Sequence, residues 1–408
     1  MPNRRQFVKQ IAAGTTALAS GIRPAARVLG ANDRVRFALI GAGGRGTEDL
    51  ESALRAPNTE CVAVADVYSR RLDEVKRVVP NAKTYRDFRQ LLDDKSIDAV
   101  IIATPQHQHA LNFVPAIQVG KDVYQEKTMA FNADHARRMR RAFEGSGRVV
   151  QVGIQSTSGR AFEQARDLAT ADNVGMVTAV HTHMWRNAPY GGWKRPIPPD
   201  CDAEHVDWDM FEGEAAPHAF DPNRYINWRF YWDYSGGNIF ENMVHQVGFW
   251  MKALNLQVPA VVRMGGGNYL SPEMEVPDTM DVAMEHSEKI LFTWNSGFGN
   301  SYYGAEDDLL LGNKGTLVRG RNGMSLVTGR AHHGPPAEAS GGQGADIVGG
   351  GDDTDLHTRN FFDCVRSRQE PNCPFEIGFR SAIACRMALM SYREHRAVTW
   401  DAEREEVV

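Results

Sequence analysis

Val35-Arg36-Phe37-Ala38-Leu39-Ile40-Gly41-Ala42-Gly43-Gly44-Arg45-Gly46 is the stretch that decides the fold. The apolar run from Val35 to Ile40 reads as a buried parallel strand. It breaks directly into Gly41, Gly43 and Gly46, the spacing G-x-G-x-x-G. The first glycine allows a tight turn, the second lets backbone amides approach a pyrophosphate, and the third lets the following helix pack close to the strand. Phosphates would then sit on the first amides of that helix, at Gly44 and Arg45, where the dipole favours negative charge. Glycine triplets also occur in plain turns, so the flanking pattern carries the argument. A second strand, Cys61 to Val67, ends in Asp66, twenty positions after Gly46. An acid there accepts hydrogen bonds from the adenosine ribose hydroxyls and favours NAD over NADP. Its bland reading is a helix N-cap. Arg70 and Arg71 are either a solvated face or a seat for a 2′-phosphate, which keeps NADP open.

At 408 residues the chain has room for about two domains of ordinary size. A formal net charge of −5 with mixed charges gives no broad basic field, which argues against a nucleic-acid partner. The five cysteines lack C-x-x-C spacing, so they suggest neither a disulfide framework nor a zinc site.

Residues 1–31 are expected to be a twin-arginine signal peptide, from Asn3-Arg4-Arg5-Gln6-Phe7-Val8-Lys9 and a mildly apolar segment too short to span a bilayer. Cleavage could follow Ala19 or Ala31. The mature protein is expected to have no membrane span and to be periplasmic or otherwise exported. Twin-arginine export moves folded proteins, which suits an enzyme that loads its nucleotide first and then holds it tightly. Residues 33–155 are assigned to an NAD(P)-binding domain and 156–408 to a substrate-binding and oligomerisation domain.

From Arg34 to about Val152 strands and helices alternate, as a doubly wound sheet requires. The buried strand Ala99 to Ala103 ends in Thr104-Pro105, a turn expected beside the nicotinamide ribose, because ligands bind at carboxyl ends of strands. His107 and His109 beyond it read as cap or packing residues ahead of catalysts. Val123 to Gln125 delivers Glu126 and Lys127 to the same edge. A lysine there can hydrogen-bond a substrate hydroxyl and help remove its proton; otherwise it is an ordinary surface lysine. The strand Val149 to Ile154 ends at Gln155.

In the second half, Met176 to Trp185 alternates as a strand, so His181 and His183 share one face. With no further ligand spaced nearby, they suggest a polar substrate wall and no metal. Trp185, Arg186, Trp228, Arg229 and Tyr234 belong to a loop-rich, aromatic segment suited to a carbohydrate: flat rings for C–H surfaces, polar groups for hydroxyls. Simple loop packing explains any single ring equally well. Ser235-Gly236-Gly237 then turns into a helix reaching about Leu254. Glu241 and His245, four apart, share one face and could hydrogen-bond, the carboxylate fixing the tautomer of a general base. Trp294 reads as core ahead of a cofactor neighbour. Arg330 to Asp355, with His332 and His333, reads as a surface loop, and His357 to Arg366 and Gly378 to Arg393 as packing helices.

The glycine loop at Gly41, the Thr104-Pro105 turn with His109, and the Glu126-Lys127 pair together resemble the Gfo/Idh/MocA family of sugar oxidoreductases. The resemblance covers nearly everything from Arg34 onward. It implies an α/β fold, an N-terminal Rossmann doubly wound parallel sheet followed by a C-terminal α+β domain with a large, open, mostly antiparallel sheet. It implies Lys127, His245 and Glu241 as the catalytic set, and Thr104, Pro105, His109, Glu126, Lys127 and Gln155 as further cofactor contacts. It also implies a carbohydrate substrate and a homo-oligomer paired through the second-domain sheet. Two departures stand out. Thr128 replaces the proline of Glu-Lys-Pro, and Glu241 and Met243 replace the aspartate and glycine of Asp-x-Gly-x-His. Three activities follow as expectations: hydride transfer between a sugar hydroxyl and NAD(P), redox-neutral glycoside hydrolysis through transient oxidation, or nucleotide holding without catalysis.

Overall fold

The computed structural model describes residues 33–301, 308–320, 323–328 and 352–408. The expected signal peptide and the His332-His333 pair lie outside the described residues.

Six strands form the first sheet: β1 (Val35–Ile40), β2 (Thr59–Ala65), β3 (Lys83–Tyr85), β4 (Ala99–Ile102), β5 (Asp122–Gln125) and β6 (Val150–Val152). Their order is β3-β2-β1-β4-β5-β6, every pair parallel. All four residues of both β4 and β5 are buried, which is why these strands lack alternation: both faces are covered. The order reverses between β1 and β4, so their carboxyl ends open a crevice. Helix α1 (Gly44–Arg55) starts at that crevice, with Gly43 as an N-cap that makes no side-chain capping bond.

The second sheet has nine strands: β7 (Val177–Trp185), β8 (Val261–Gly267), β9 (Thr279–Glu285), β10 (Leu291–Gly297), β11 (Asp308–Gly312), β12 (Gly315–Gly320), β13 (Gly323–Thr328), β14 (Val398–Asp401) and β15 (Glu406–Val407). The order is β13-β12-β11-β7-β10-β9-β8-β14-β15. Only β7 and β10 run parallel; the other neighbours are antiparallel. One face carries Phe292, Trp294, Val282 and Met284, all buried with helices α2 (Val244–Leu254) and α4 (Phe375–Glu394) in one core. Trp294 is therefore a core residue, its indole donating to Gln246 Oε1 at 2.6 Å.

Helix α3 (Asp352–Ser367) begins inside the stretch read from sequence as loop up to Asp355. It returns to the first domain, where Phe361 and Phe362 are fully buried and Phe362 meets Phe37 at 5.2 Å between ring centroids. Arg366 fastens it by donating to the carbonyls of Asp33, Pro57 and Asn58. The N-terminal sheet thus has one face closed by the chain's other end. Among the described residues no helix is long and apolar enough to cross a membrane.

Gly46 stacks on the turn it follows: a Cβ there would lie 1.9 Å from the carbonyl oxygen of Gly41. Gly41 itself sits at φ +92°, the left-handed region open to glycine. Gly46→Ala is expected to lower stability by about 1–3 kcal/mol, the usual cost of overpacking, and to weaken nucleotide retention. Chemical denaturation alongside nucleotide content checks both.

Candidate active site

A cavity of about 690 Å³ lies between the two domains and is lined from both. The first domain contributes Gly41, Gly43, Gly44, Arg45, Asp66, Thr104, Pro105, Glu126 and Lys127; the second contributes Trp193, Arg195, Trp228, Arg229, Glu241 and His245.

The nucleotide half fits a dinucleotide on the chain's own geometry. Cβ atoms added at Gly43 and Gly44 would meet nothing within 4 Å, so the loop borders open space. With no side chain capping α1, its first amides remain available to an anion. Asp66 lines the same cavity while holding the loop in shape: its carboxylate accepts from Ala42 N at 2.7 Å and Tyr68 N at 2.9 Å. Burial pushes its pKa up, against those two bonds. Of the two arginines that could hold a 2′-phosphate, Arg70 pairs at the surface with Glu74 and Asp200, and Arg71 lines the cavity while bonded to Glu74 at 2.8 Å. Arg45 keeps its charge firmly, its pKa pushed up chiefly by Glu126.

A buried ion pair joins the two domains at the cavity floor. Lys127 Nζ donates to Glu241 Oε2 at 2.9 Å and to the Glu241 carbonyl at 3.0 Å. Both side chains are buried, 9% and 7% exposed. Gln106 Nε2 donates to Glu241 Oε1 at 2.5 Å, and Arg229 Nε lies 3.2 Å from the same oxygen. Burial alone would raise the Glu241 pKa; the charges of Arg229 and Lys127, with the bonds from Lys127 and Gln106, overcome it and hold the carboxyl far below its usual range. Glu241 is thus a fixed anion. His245 is pushed the other way, well below the ordinary imidazole value, by burial and then by the charges of Lys127 and Arg45. It is a neutral ring.

Sequence spacing predicted a Glu241–His245 hydrogen bond on one α-helical face, and none joins them among the described residues. Both Glu241 carboxylate oxygens are engaged elsewhere, Oε2 by Lys127 and Oε1 by Gln106, at a π-helical turn, Ile239–Met243, that leads into α2. Glu241 therefore orients Lys127 and Arg229 instead of the imidazole. Thr128, which stands where the resembled family has proline, is buried and donates to the Phe240 carbonyl at 2.8 Å, binding the lysine loop to that turn.

Other expected contacts lie away from the cavity. The ring nitrogens of His109 sit 2.8 Å from the carbonyl oxygens of Thr128 and Thr104, and burial pushes its pKa down to about 4. It shapes two cavity loops without lining the cavity. Gln155 is buried behind Glu126, donating to its Oε1 at 2.8 Å and to Tyr124 Oη at 3.1 Å. His107 packs between Phe211 and Tyr234. Tyr234 is fully buried in that aromatic cluster. Trp185 donates to Asn295 at 2.6 Å from within the sheet, and His183 shares its strand. Arg186 stands behind the lining, over Trp193 and Phe298, yet its charge reaches Glu241. Of the six expected substrate contacts, Trp228 and Arg229 line the cavity.

Gln106, Trp193 and Arg195 went unread. Gln106 directly follows the Thr104-Pro105 turn, a position that could have flagged it. For Trp193 and Arg195, loop composition alone does not say which ring or guanidinium turns inward.

Residues 35–154 match the GFO/IDH/MocA family, described as an oxidoreductase family with an NAD-binding Rossmann fold. Inositol 2-dehydrogenase from Salmonella paratyphi B is 27% identical over 165 residues, 40% of this chain and 49% of that protein. A glycosyl hydrolase family 109 protein from Stenotrophomonas maltophilia is 38% identical over 128 residues, 29% of this chain and 28% of its own. The chain spans about half the length of the inositol dehydrogenases it matches. Among solved structures, a levoglucosan dehydrogenase in complex with NADH and levoglucosan superposes with a TM-score of 0.68 at 17% identity, over 90% of this chain and 99% of that one; this likeness speaks to fold. Over residues 35–154 the first domain is accordingly similar to that family and has its NAD-binding Rossmann fold.

Proposed function

We propose that the protein is an exported oxidoreductase that transfers hydride between a sugar-type hydroxyl carbon and a tightly held NAD. The observation that carries this is the meeting of Lys127 and His245 in the cavity that also holds Gly43 and Asp66. NAD, when bound, supplies the hydride acceptor. His245, kept neutral, takes the hydroxyl proton. Lys127 donates a hydrogen bond to the same oxygen and stabilises the charge that develops on it. Glu241 keeps the lysine aimed, and its low proton affinity bars it from acting as the base. Trp228 and Trp193 offer flat apolar surface to a sugar ring. The Asp66 carboxylate supports NAD over NADP by repelling a 2′-phosphate. The twin-arginine pattern supports export of the folded, nucleotide-loaded protein, and a tight cofactor suits a compartment with no pool to exchange with.

A redox-neutral glycoside hydrolase is the second reading, favoured by the partial similarity to a glycosyl hydrolase family 109 protein. It uses the same groups, with hydride returned after loss of the aglycone.

Lys127→Met is expected to lower kcat by about 10²–10⁴, the usual contribution of a positioned proton-transfer partner, with NAD still bound. Undiminished turnover would refute the role of Lys127. Because the His245 pKa is depressed in the fold, activity should persist as pH falls through about 6.5 and fail only well below it. Stability should fall over the same descent, since the unfolded chain takes up a proton there that the folded chain refuses. A kcat/KM profile and melts across pH test these together.

Nucleotide released by denaturation should be NAD, and sugars screened against the intact protein should reduce it. Aryl glycosides releasing phenol without net NADH would transfer the assignment to the hydrolase. With Arg4 and Arg5 both changed to Lys, the protein should stay in the cytoplasm; unchanged export would dismiss the twin-arginine reading.

A further inference from the structure

The cations of the cavity are partnered unevenly. On the nucleotide side, Arg45 lies 3.1 Å from Glu48 and Arg71 is bonded to Glu74, while Arg86 donates to the Glu204 carbonyl. On the second-domain side, Glu241 alone faces Lys127 at 2.9 Å and Arg229 at 3.2 Å, with the charge of Arg186 also in reach. Among the described residues, no second carboxylate pairs with Arg229. The Arg195 side chain, on the rim, donates to the carbonyls of Gly192 and Lys194. Arg186 donates to the Gly191 carbonyl and leaves a buried Nε without a hydrogen-bond partner. Arg229 and Lys127 thus share one carboxylate beside a neutral imidazole, with Arg186 behind the lining and Arg195 on the rim. Excess positive charge in a half-closed cleft attracts an anion and is stabilised by it.

The form of the excess narrows the ligand. The Arg229 guanidinium lies over Trp228 at 4.2 Å and is 30% exposed, so a planar donor fork is presented beside a flat apolar ring. A fork of this kind matches a carboxylate in two-point contact, and the ring matches the C–H face of a pyranose.

We propose that the substrate is a sugar bearing a carboxylate, taken by Arg229 with Arg195 closing from the rim, while its reacting hydroxyl lies between Lys127 and His245. This deepens the oxidoreductase reading and rests on it. Two groups of the same ligand then find the two kinds of polar partner the cleft offers, and the acid group fixes which hydroxyl reaches the base.

The full nucleotide-loaded protein would be titrated with glucuronate, galacturonate and gluconate, each against its neutral parent, and with glucose 6-phosphate, following tryptophan fluorescence for binding and NADH absorbance for turnover. At least one acid should bind about tenfold or more tightly than its parent, the scale of a charged hydrogen-bonded contact. The margin should shrink with added salt and in Arg229→Gln. Should that variant fold poorly, Arg195→Gln on the exposed rim should reduce the margin by a smaller factor. Neutral sugars binding as well as every acid, glucose 6-phosphate binding tighter than any carboxylate, or an unchanged margin in both variants would overturn the inference. Reduction of NAD by neutral sugars without an acid preference sinks this proposal and spares the oxidoreductase; acid-selective binding with no NAD reduction does the reverse.

Discussion

The buried contact between Lys127 and Glu241 is the constraint on which the rest of the site depends. One partner comes from the end of a parallel strand and the other from the first turn of a helix more than a hundred residues later, so the pair exists only when the two domains are docked. Removing one partner of such a pair strands the other charge, at a cost of about 3–5 kcal/mol. Gln106, Arg229 and the Thr128 hydroxyl tie into the same turn, so the cleft floor is shared by both domains. An opening motion that separated the domains would have to break this set, which favours a pre-formed floor with entry from the rim.

Environment assigns the chemistry to each group. Glu241 and His245 sit within one helical segment, Glu241 buried and His245 partly so, yet their surroundings push them apart: Arg229 and Lys127 keep the carboxylate charged, while burial, then Lys127 and Arg45, keep the imidazole uncharged. Pushing neighbouring titratable groups apart in this way leaves one charged anchor and one neutral ring able to accept a proton. The cations that add to the burial of His245 would also favour an alkoxide or an acidic substituent, so the proposed proton transfer and anion binding draw on one field.

The substitutions relative to the resembled family also fall on this floor. Thr128 in place of proline brings a hydroxyl that bonds the Phe240 carbonyl, and Glu241 in place of aspartate brings one more carbon of reach.

The sequence by itself determined the dinucleotide domain, because its signals are local: an unbroken apolar strand, glycines where backbone must meet backbone or phosphate, an acid at the next strand end. It also marked Lys127, Glu241 and His245, and the mostly antiparallel second sheet. Tertiary structure alone decided who touches whom. Residue spacing set Glu241 beside His245 but could not show that Lys127 and Gln106, more than a hundred residues earlier, take its carboxylate. Tyr234 and Trp185 carry the composition of a sugar site but pack in a core and a sheet, whereas Trp193 and Arg195 line the cleft. That inward or outward choice depends on the packing of long loops between domains, and helix α3 closes a face of the first sheet from the far end of the chain. Such contacts are made by residues distant in sequence, and no local pattern encodes them.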